Sequence, residues 1–187
     1  MTLTECLNST NLNQSGRDAY ALVERLYPMF RSLTGAGFRQ SLDVLKELIP
    51  LETHAIASGT AVFDWTVPDE WNLRTATIRN AAGDTVVDFK NHNLHVVGYS
   101  VPVRATLTLG DLLPHLHSLP QQPDLIPYRT SYYTSAWGFC LTHRQLESLR
   151  AQDGPFDVEI DATLAPGHLN WGECVLPGRL EEEVLIS

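Results

Sequence analysis

Cysteine is scarce in this 187-residue sequence, and the three present, Cys6, Cys140 and Cys174, are odd in number, far apart and without the short paired spacing of zinc or redox motifs. They are expected as free thiols in a reducing compartment. Cations are few as well. Thirteen Lys and Arg face 22 Asp and Glu, a formal charge of -9, and so acidic a chain repels phosphate backbones and anionic lipid, whose capture needs clustered cations. Neither nucleic acid nor membrane is an expected partner. Long apolar runs are missing too: the N-terminus has no basic start and no apolar segment of signal-peptide length, and nothing downstream approaches a membrane span. A soluble, cytoplasmic protein is the expectation. What the sequence does have is a globular composition, 43% hydrophobic and 19% charged, without the high-charge, low-apolar bias of a disordered chain.

Residues 1–15 are polar and without period, and are expected as a disordered tail. Ala19, Leu22, Val23, Leu26, Phe30 and Leu33 then recur at helical spacing, with Pro28 expected to kink the helix. Thr34–Gly37 breaks the pattern, and Leu42, Leu45, Leu48 and Ile49 begin a second stripe that Pro50 stops. Two packed amphipathic helices are therefore expected over 16–55. From Ile56 the period drops to two, the mark of half-buried strands. Ala61, Phe63, Trp65 and Val67 alternate with Thr60, Val62, Asp64 and Thr66, and Val97, Tyr99, Val101 and Val103 suggest another strand. Asn80–Asp84 separates Leu73–Ile78 from Thr85–Phe89 as a hairpin turn, with Gly83 supplying a positive φ.

Thr108 with Asp111, and Thr142 with Gln145, have the spacing of helix capping boxes. Between them Pro120, Pro123 and Pro127 mark an extended loop. Aromatic residues favour strands, so Ser131–Tyr133 and Trp137–Leu141 are expected near strands with a turn between them. Phe156–Leu164, the turn Ala165–Gly167 and Leu169–Leu176 read as a hairpin. The acidic Glu181–Glu183 leads into Val184–Ile186, a continuous apolar run expected as a strand buried on both faces of an α/β sheet.

Few residues carry recognisable chemistry. His92 with His95, and His115 with His117, lack the third and fourth converging ligands that zinc requires. Cys140 and His143 lack a third group to hold a base, and Cys140 lies in an apolar run where a thiol acts as a small hydrophobe. His168 beside Pro166-Gly167 reads as a turn residue. Asp64, Asp69 and Glu70 fall on opposite faces or in turns, not across a groove as paired carboxylates would. No catalytic or metal residue is assigned. The segment holding Tyr128, Arg129, Tyr132, Tyr133 and Trp137 is different: flat rings with polar tips beside a guanidinium suit a peptide or sugar ligand, although core filling by most of those rings is the simpler alternative.

Several stretches in combination carry a likeness: Arg31-Ser-Leu-Thr-Gly35, Phe63-Asp-Trp-Thr-Val-Pro-Asp-Glu-Trp71, Asn93-Leu-His-Val-Val-Gly-Tyr-Ser-Val-Pro102, Pro127-Tyr-Arg-Thr-Ser-Tyr-Tyr133, Trp137-Gly-Phe-Cys140 and Gly172-Glu-Cys-Val-Leu-Pro-Gly178. From about Tyr20 onward the sequence resembles the N-terminal part of bacterial zinc aminopeptidase-like proteins of the di-zinc exopeptidase type. The resemblance implies an α/β protein with an incomplete zinc-exopeptidase-like core of the phosphorylase type. Residues 16–55 and 151–187 would belong to that core, and 56–150 would form an inserted, mainly antiparallel β domain. It also implies zinc as cofactor and a peptide as substrate in a full-length relative, which removes an N-terminal residue while zinc polarises the carbonyl and activates water.

In that family the metal ligands follow the strand that ends here at Ser187. This chain would then be a truncated front portion, without cofactor and inactive alone. Two other readings stay open: a non-catalytic β-rich module that binds peptide or carbohydrate, and a degenerate fragment whose unfinished sheet edge favours aggregation or homo-oligomers.

Overall fold

A computed structural model of the chain describes residues 11–180, 182 and 184–186. The expected tail up to residue 10, with Cys6, lies outside the described residues, as do Glu181 and Glu183 of the acidic run. The rest of that tail is helical. Helix α1 spans Leu12–Leu26, and the Asn11 side chain accepts from the Gln14 N–H at 3.1 Å, satisfying one of the free donors of the first turn. The helix ends before Pro28 instead of kinking around it, because proline brings no N–H to continue the ladder. Its apolar stripe is only partly packed: Leu22 and Leu26 are half-buried, whereas Ala19 and Val23 are exposed.

Helix α2, Ala36–Lys46, begins six residues before Leu42, and its start is made by glycine. Gly35 has φ 104°, and a Cβ there would lie 2.4 Å from the Trp71 carbonyl oxygen; one on Gly37 would lie 1.8 Å from that of Phe30. Only glycine permits such approaches. Thr34–Gly37 thus both ends the break between the helices and docks the start of α2. Asn72 completes the junction by accepting the Ala36 N–H at 2.8 Å, and Arg25 forks onto Glu47 at 2.6 and 2.7 Å to tie α1 to the end of α2.

The strands are β1 Glu52–Ala57, β2 Ala61–Val62, β3 Trp65–Thr66, β4 Glu70–Arg79, β5 Thr85–Asp88, β6 Val103–Leu107, β7 Leu116–His117, β8 Phe139–Cys140, β9 Phe156–Ala165 and β10 His168–Glu173. Helix α3, Leu109–Leu112, lies between β6 and β7, and α4, His143–Arg150, precedes β9. An antiparallel sheet in the order β5-β4-β9-β6 is the main structure, with a separate antiparallel ribbon of β1 and β10. The chain is therefore mixed α/β with antiparallel sheets.

On β9 the period-two pattern is clear: Phe156, Val158, Ile160 and Ala162 are buried, while Asp157, Glu159 and Asp161 face away from the core. On β4 the register shifts between Leu73 and Thr75, so the inward set changes from Trp71 and Leu73 to Ala76 and Ile78. A bulge moves the alternation by one residue. Leu112, Phe139, Leu141, Leu146 and Leu149 close the core over this sheet. Thr142 and Gln145 form the full reciprocal capping box at α4. At α3, Thr108 accepts the Asp111 N–H, but the Asp111 carboxylate takes the Thr108 hydroxyl rather than a backbone N–H.

Several expected strands are corrected. Residues 60–67 do not run straight: Phe63, at φ 53°, turns the chain between β2 and β3. Residues 97–101 are not a strand, since Tyr99 has φ 64° and the strand begins only at Val103. Ser131–Tyr133 is a turn, and of Trp137–Leu141 only Phe139–Cys140 is strand, parallel to β7. The hairpin expected from Phe156 to Leu176 is not one. β9 pairs with β4 and β6, whereas β10 leaves it for β1. Val184, Leu185 and Ile186 are coil and 87, 91 and 91% exposed, because a strand buried on both faces needs neighbours that the described residues do not supply.

Candidate functional site

The aromatic segment is positioned by residues 97–101. Val97 N–H donates to Gly138 O at 3.0 Å, Gly98 N–H to Arg129 O at 2.9 Å, Ser131 N–H to Gly98 O at 2.8 Å and Val101 N–H to Ala136 O at 3.0 Å. One short stretch thus sews down both limbs of the 127–138 loop. Its left-handed residue, Tyr99, is an uncommon conformation for a bulky side chain and is held by its surroundings. The Tyr99 hydroxyl lies 2.7 Å from Thr34 Oγ1, which also accepts the Trp71 N–H at 3.0 Å; the Trp71 indole N–H donates to Ser100 O at 2.9 Å.

From this buried junction a ladder of rings runs outward. Trp71 stacks on Tyr99 at 5.7 Å between centroids, Tyr99 meets Tyr132 edge-on at 5.9 Å, and Tyr132 lies 4.0 Å from Tyr133 at an interplanar angle of 43°. Tyr132 is half-buried and Tyr133 is 75% exposed, so the ladder ends as a two-ring platform at the surface. Trp137 does not join it. Its ring stacks on His115 at 3.6 Å and packs on the core. Arg129 is exposed and has no carboxylate within salt-bridge distance among the described residues, and Tyr128 is 72% exposed.

Tyr128 belongs instead to a groove of about 260 Å³, walled by Tyr27, residues 29–32, residues 92–94, Val96 and Gly98. Met29, Phe30, Leu94 and Val96 are its aliphatic and aromatic wall, with Val96 buried. The polar edge is tightly specified. His92 Nδ1 accepts the Leu94 N–H at 3.2 Å, so in the neutral ring Nε2–H is left to donate to the Tyr27 hydroxyl at 3.0 Å. Asn93 donates to Tyr27 O at 2.8 Å, and Arg31 Nη1 donates to Leu26 O at 2.6 Å, closing the end of α1. Tyr27, Arg31, His92 and Asn93 were not singled out as a binding group in the sequence. Nothing local marks them, because they meet only through contacts across some 65 positions.

The remaining candidates have structural partners. His95 donates Nδ1–H to Cys140 O at 2.8 Å, and burial pushes its pKa down. Burial pushes the Cys140 thiol up to about 11, which keeps it protonated and inert at neutral pH. His143 Nδ1 lies 3.0 Å from Ser118 Oγ. Glu70, expected in a turn or surface role, accepts both arms of Arg39 at 2.8 and 2.9 Å, together with Asn72 Nδ2 and the His168 N–H. The Arg39 hydrogen bonds, more than any other contact, lower its pKa to about 2. Among the described residues no three His, Cys, Asp or Glu side chains converge as metal ligands. With His92 committed at both nitrogens, the described residues do not fit a zinc centre.

The family model for a domain of unknown function (DUF2172) matches residues 70–163, from the start of β4 almost to the end of β9, and the chain belongs to that family. A curated relative from Clostridium acetobutylicum, named "Putative polysaccharide biosynthesis protein with aminopeptidase-like domain", is 49% identical over 177 residues, which make up 95% of this chain and 40% of the relative. A crystal structure of a "putative peptidase" from the same organism matches with a TM-score of 0.82 at 48% identity, covering 85% of this chain and 37% of that one. The chain therefore spans about two fifths of the length of these relatives. No helix among the described residues is long and apolar enough to cross a membrane.

Proposed function

We propose that this chain is the front portion of a zinc-dependent aminopeptidase-like protein of the cytoplasm, and that it contributes peptide-binding surface rather than reacting groups. The observation that carries the reading is the 49% identity to a relative named for an aminopeptidase-like domain, extending over 95% of this chain but only 40% of that protein. Metal ligands and the general base would come from the part of such a protein that this chain does not span. Three features support an unfinished body: the exposed stripe of α1, the two-stranded β1–β10 ribbon, and the bare Val184–Ile186 run. A two-stranded ribbon is marginal by itself and gains most from a larger sheet. In this proposal the core includes 16–55, β10 and the run that follows, while β9 goes with the β domain.

Tyr128, Arg129, Tyr132 and Tyr133 are the substrate-facing residues of this reading, and Trp137 is core packing against His115. The test is a protein extended to the relatives' length, assayed on short peptides with and without Tyr133→Ala. A higher KM in the variant is expected; unchanged affinity and turnover would remove the role. A second reading, a carbohydrate-binding module, has in its favour the exposed tyrosine platform and the naming of the relative for polysaccharide biosynthesis.

A further inference from the structure

We infer that the groove beside Tyr128 holds the free carboxyl end of a peptide, the terminal carboxylate on Arg31 and an apolar last side chain against Phe30, Leu94 and Val96. Arg31 is the one Lys, Arg, Asp or Glu among the groove residues. One of its guanidinium nitrogens bonds Leu26 O, and no carboxylate pairs with it among the described residues. Arginine carries five N–H donors in a planar fork, so enough remain for the two oxygens of a carboxylate. An otherwise acidic chain, at -9, draws an anion only where such a cation stands alone.

The apolar wall adds the second half of the specificity, since it rewards a hydrocarbon side chain and offers little to a polyol. Sugar hydroxyls need acceptors as well as donors. Here no carboxylate among the described residues lines the groove, and both nitrogens of His92 are already bonded. A peptide terminus therefore fits better than a saccharide. The inference rests on reading this surface as peptide-binding, but not on zinc or hydrolysis.

The test is titration of the 187-residue chain, followed by NMR or calorimetry, with an N-acetylated tripeptide ending in leucine, as the free acid and as its C-terminal amide. The acid is expected to bind about tenfold tighter or more, the scale of a charge-assisted pair. Arg31→Gln should abolish that difference and Arg31→Lys should keep part of it. Because Arg31 also closes α1, Tyr128→Ser provides an independent check: it leaves the melting temperature unchanged and weakens both peptides. Equal affinity for acid and amide, no binding of either, or binding of a neutral oligosaccharide in their place would each overturn the inference. Loss of hydrolysis in an extended protein would leave it standing.

Discussion

The Tyr99 hydroxyl lies 2.7 Å from Thr34 Oγ1, joining the loop that carries the aromatic segment to the turn that starts α2, across 65 positions of sequence. The same threonine oxygen receives the buried Trp71 N–H, so one hydroxyl holds three segments together. Thr34→Ala leaves that N–H unpaired and should cost about 1–3 kcal/mol, whereas Thr34→Ser should restore most of it. Denaturant unfolding of the three proteins measures both. A loss below a few tenths of a kcal/mol would show that water or another acceptor replaces the threonine.

Acid should weaken the link between α2 and β4. Glu70 titrates at about 2 in the folded chain, held down first by Arg39, against an ordinary value of 4.5. Between those values the unfolded chain binds the extra proton, so the stabilisation is complete above about 4.5 and drains away as pH falls toward 2. Glu70→Gln should cost about 1–2 kcal/mol at pH 7, a figure reduced for the partial exposure of Arg39, and almost nothing near pH 2. Melting curves across that range, for parent and variant, should converge on the acid side.

Gly37→Ala should be among the most damaging single-methyl changes in the chain. Its Cβ would sit 1.8 Å from the Phe30 carbonyl oxygen, so the backbone must move. Gly83→Ala meets nothing within 4 Å and pays only for its positive φ of 87°. A loss above about 2 kcal/mol is expected for the first and about 1 kcal/mol for the second. Thermal unfolding that ranks them the other way would contradict the docking of α2 on the Phe30 segment.

The two platform tyrosines should separate stability from binding. Tyr133 is mostly in solvent, so Tyr133→Ala should change stability by less than about 0.5 kcal/mol. Tyr132 packs against Tyr99 and the core, and its removal should cost about 1–2 kcal/mol. Equal losses in chemical denaturation would mean that the pair acts only as packing.

What could be read from sequence was what is local. The β4–β5 hairpin with Gly83 and the Thr142–Gln145 box each depend on a few adjacent residues whose chemistry leaves little choice. The β9–β10 reading failed because a turn-like Ala165–Gly167 suits a hairpin, while long-range bonds decide otherwise: Ser58 N–H donates to Gly167 O, and the Glu70 carboxylate accepts the His168 N–H. Alternation over 60–67 misled for a related reason, since φ 53° at Phe63 turns a period-two run into a tight loop without altering the pattern of letters. In the aromatic segment the sequence could not show how the rings divide between surface and core. Tyr128 lines the groove, Tyr132 and Tyr133 form the platform, and Trp137 stacks on His115. Arg31 was visible only as part of a motif, because the lack of a paired carboxylate among the described residues is a three-dimensional fact that no spacing rule records.

The most direct measurement is the metal content and aminopeptidase activity of a protein that continues past Ser187 to the length of the relatives. The account predicts bound zinc and release of N-terminal residues that a chelator stops. An extended protein that folds but neither binds zinc nor cleaves any peptide would contradict it.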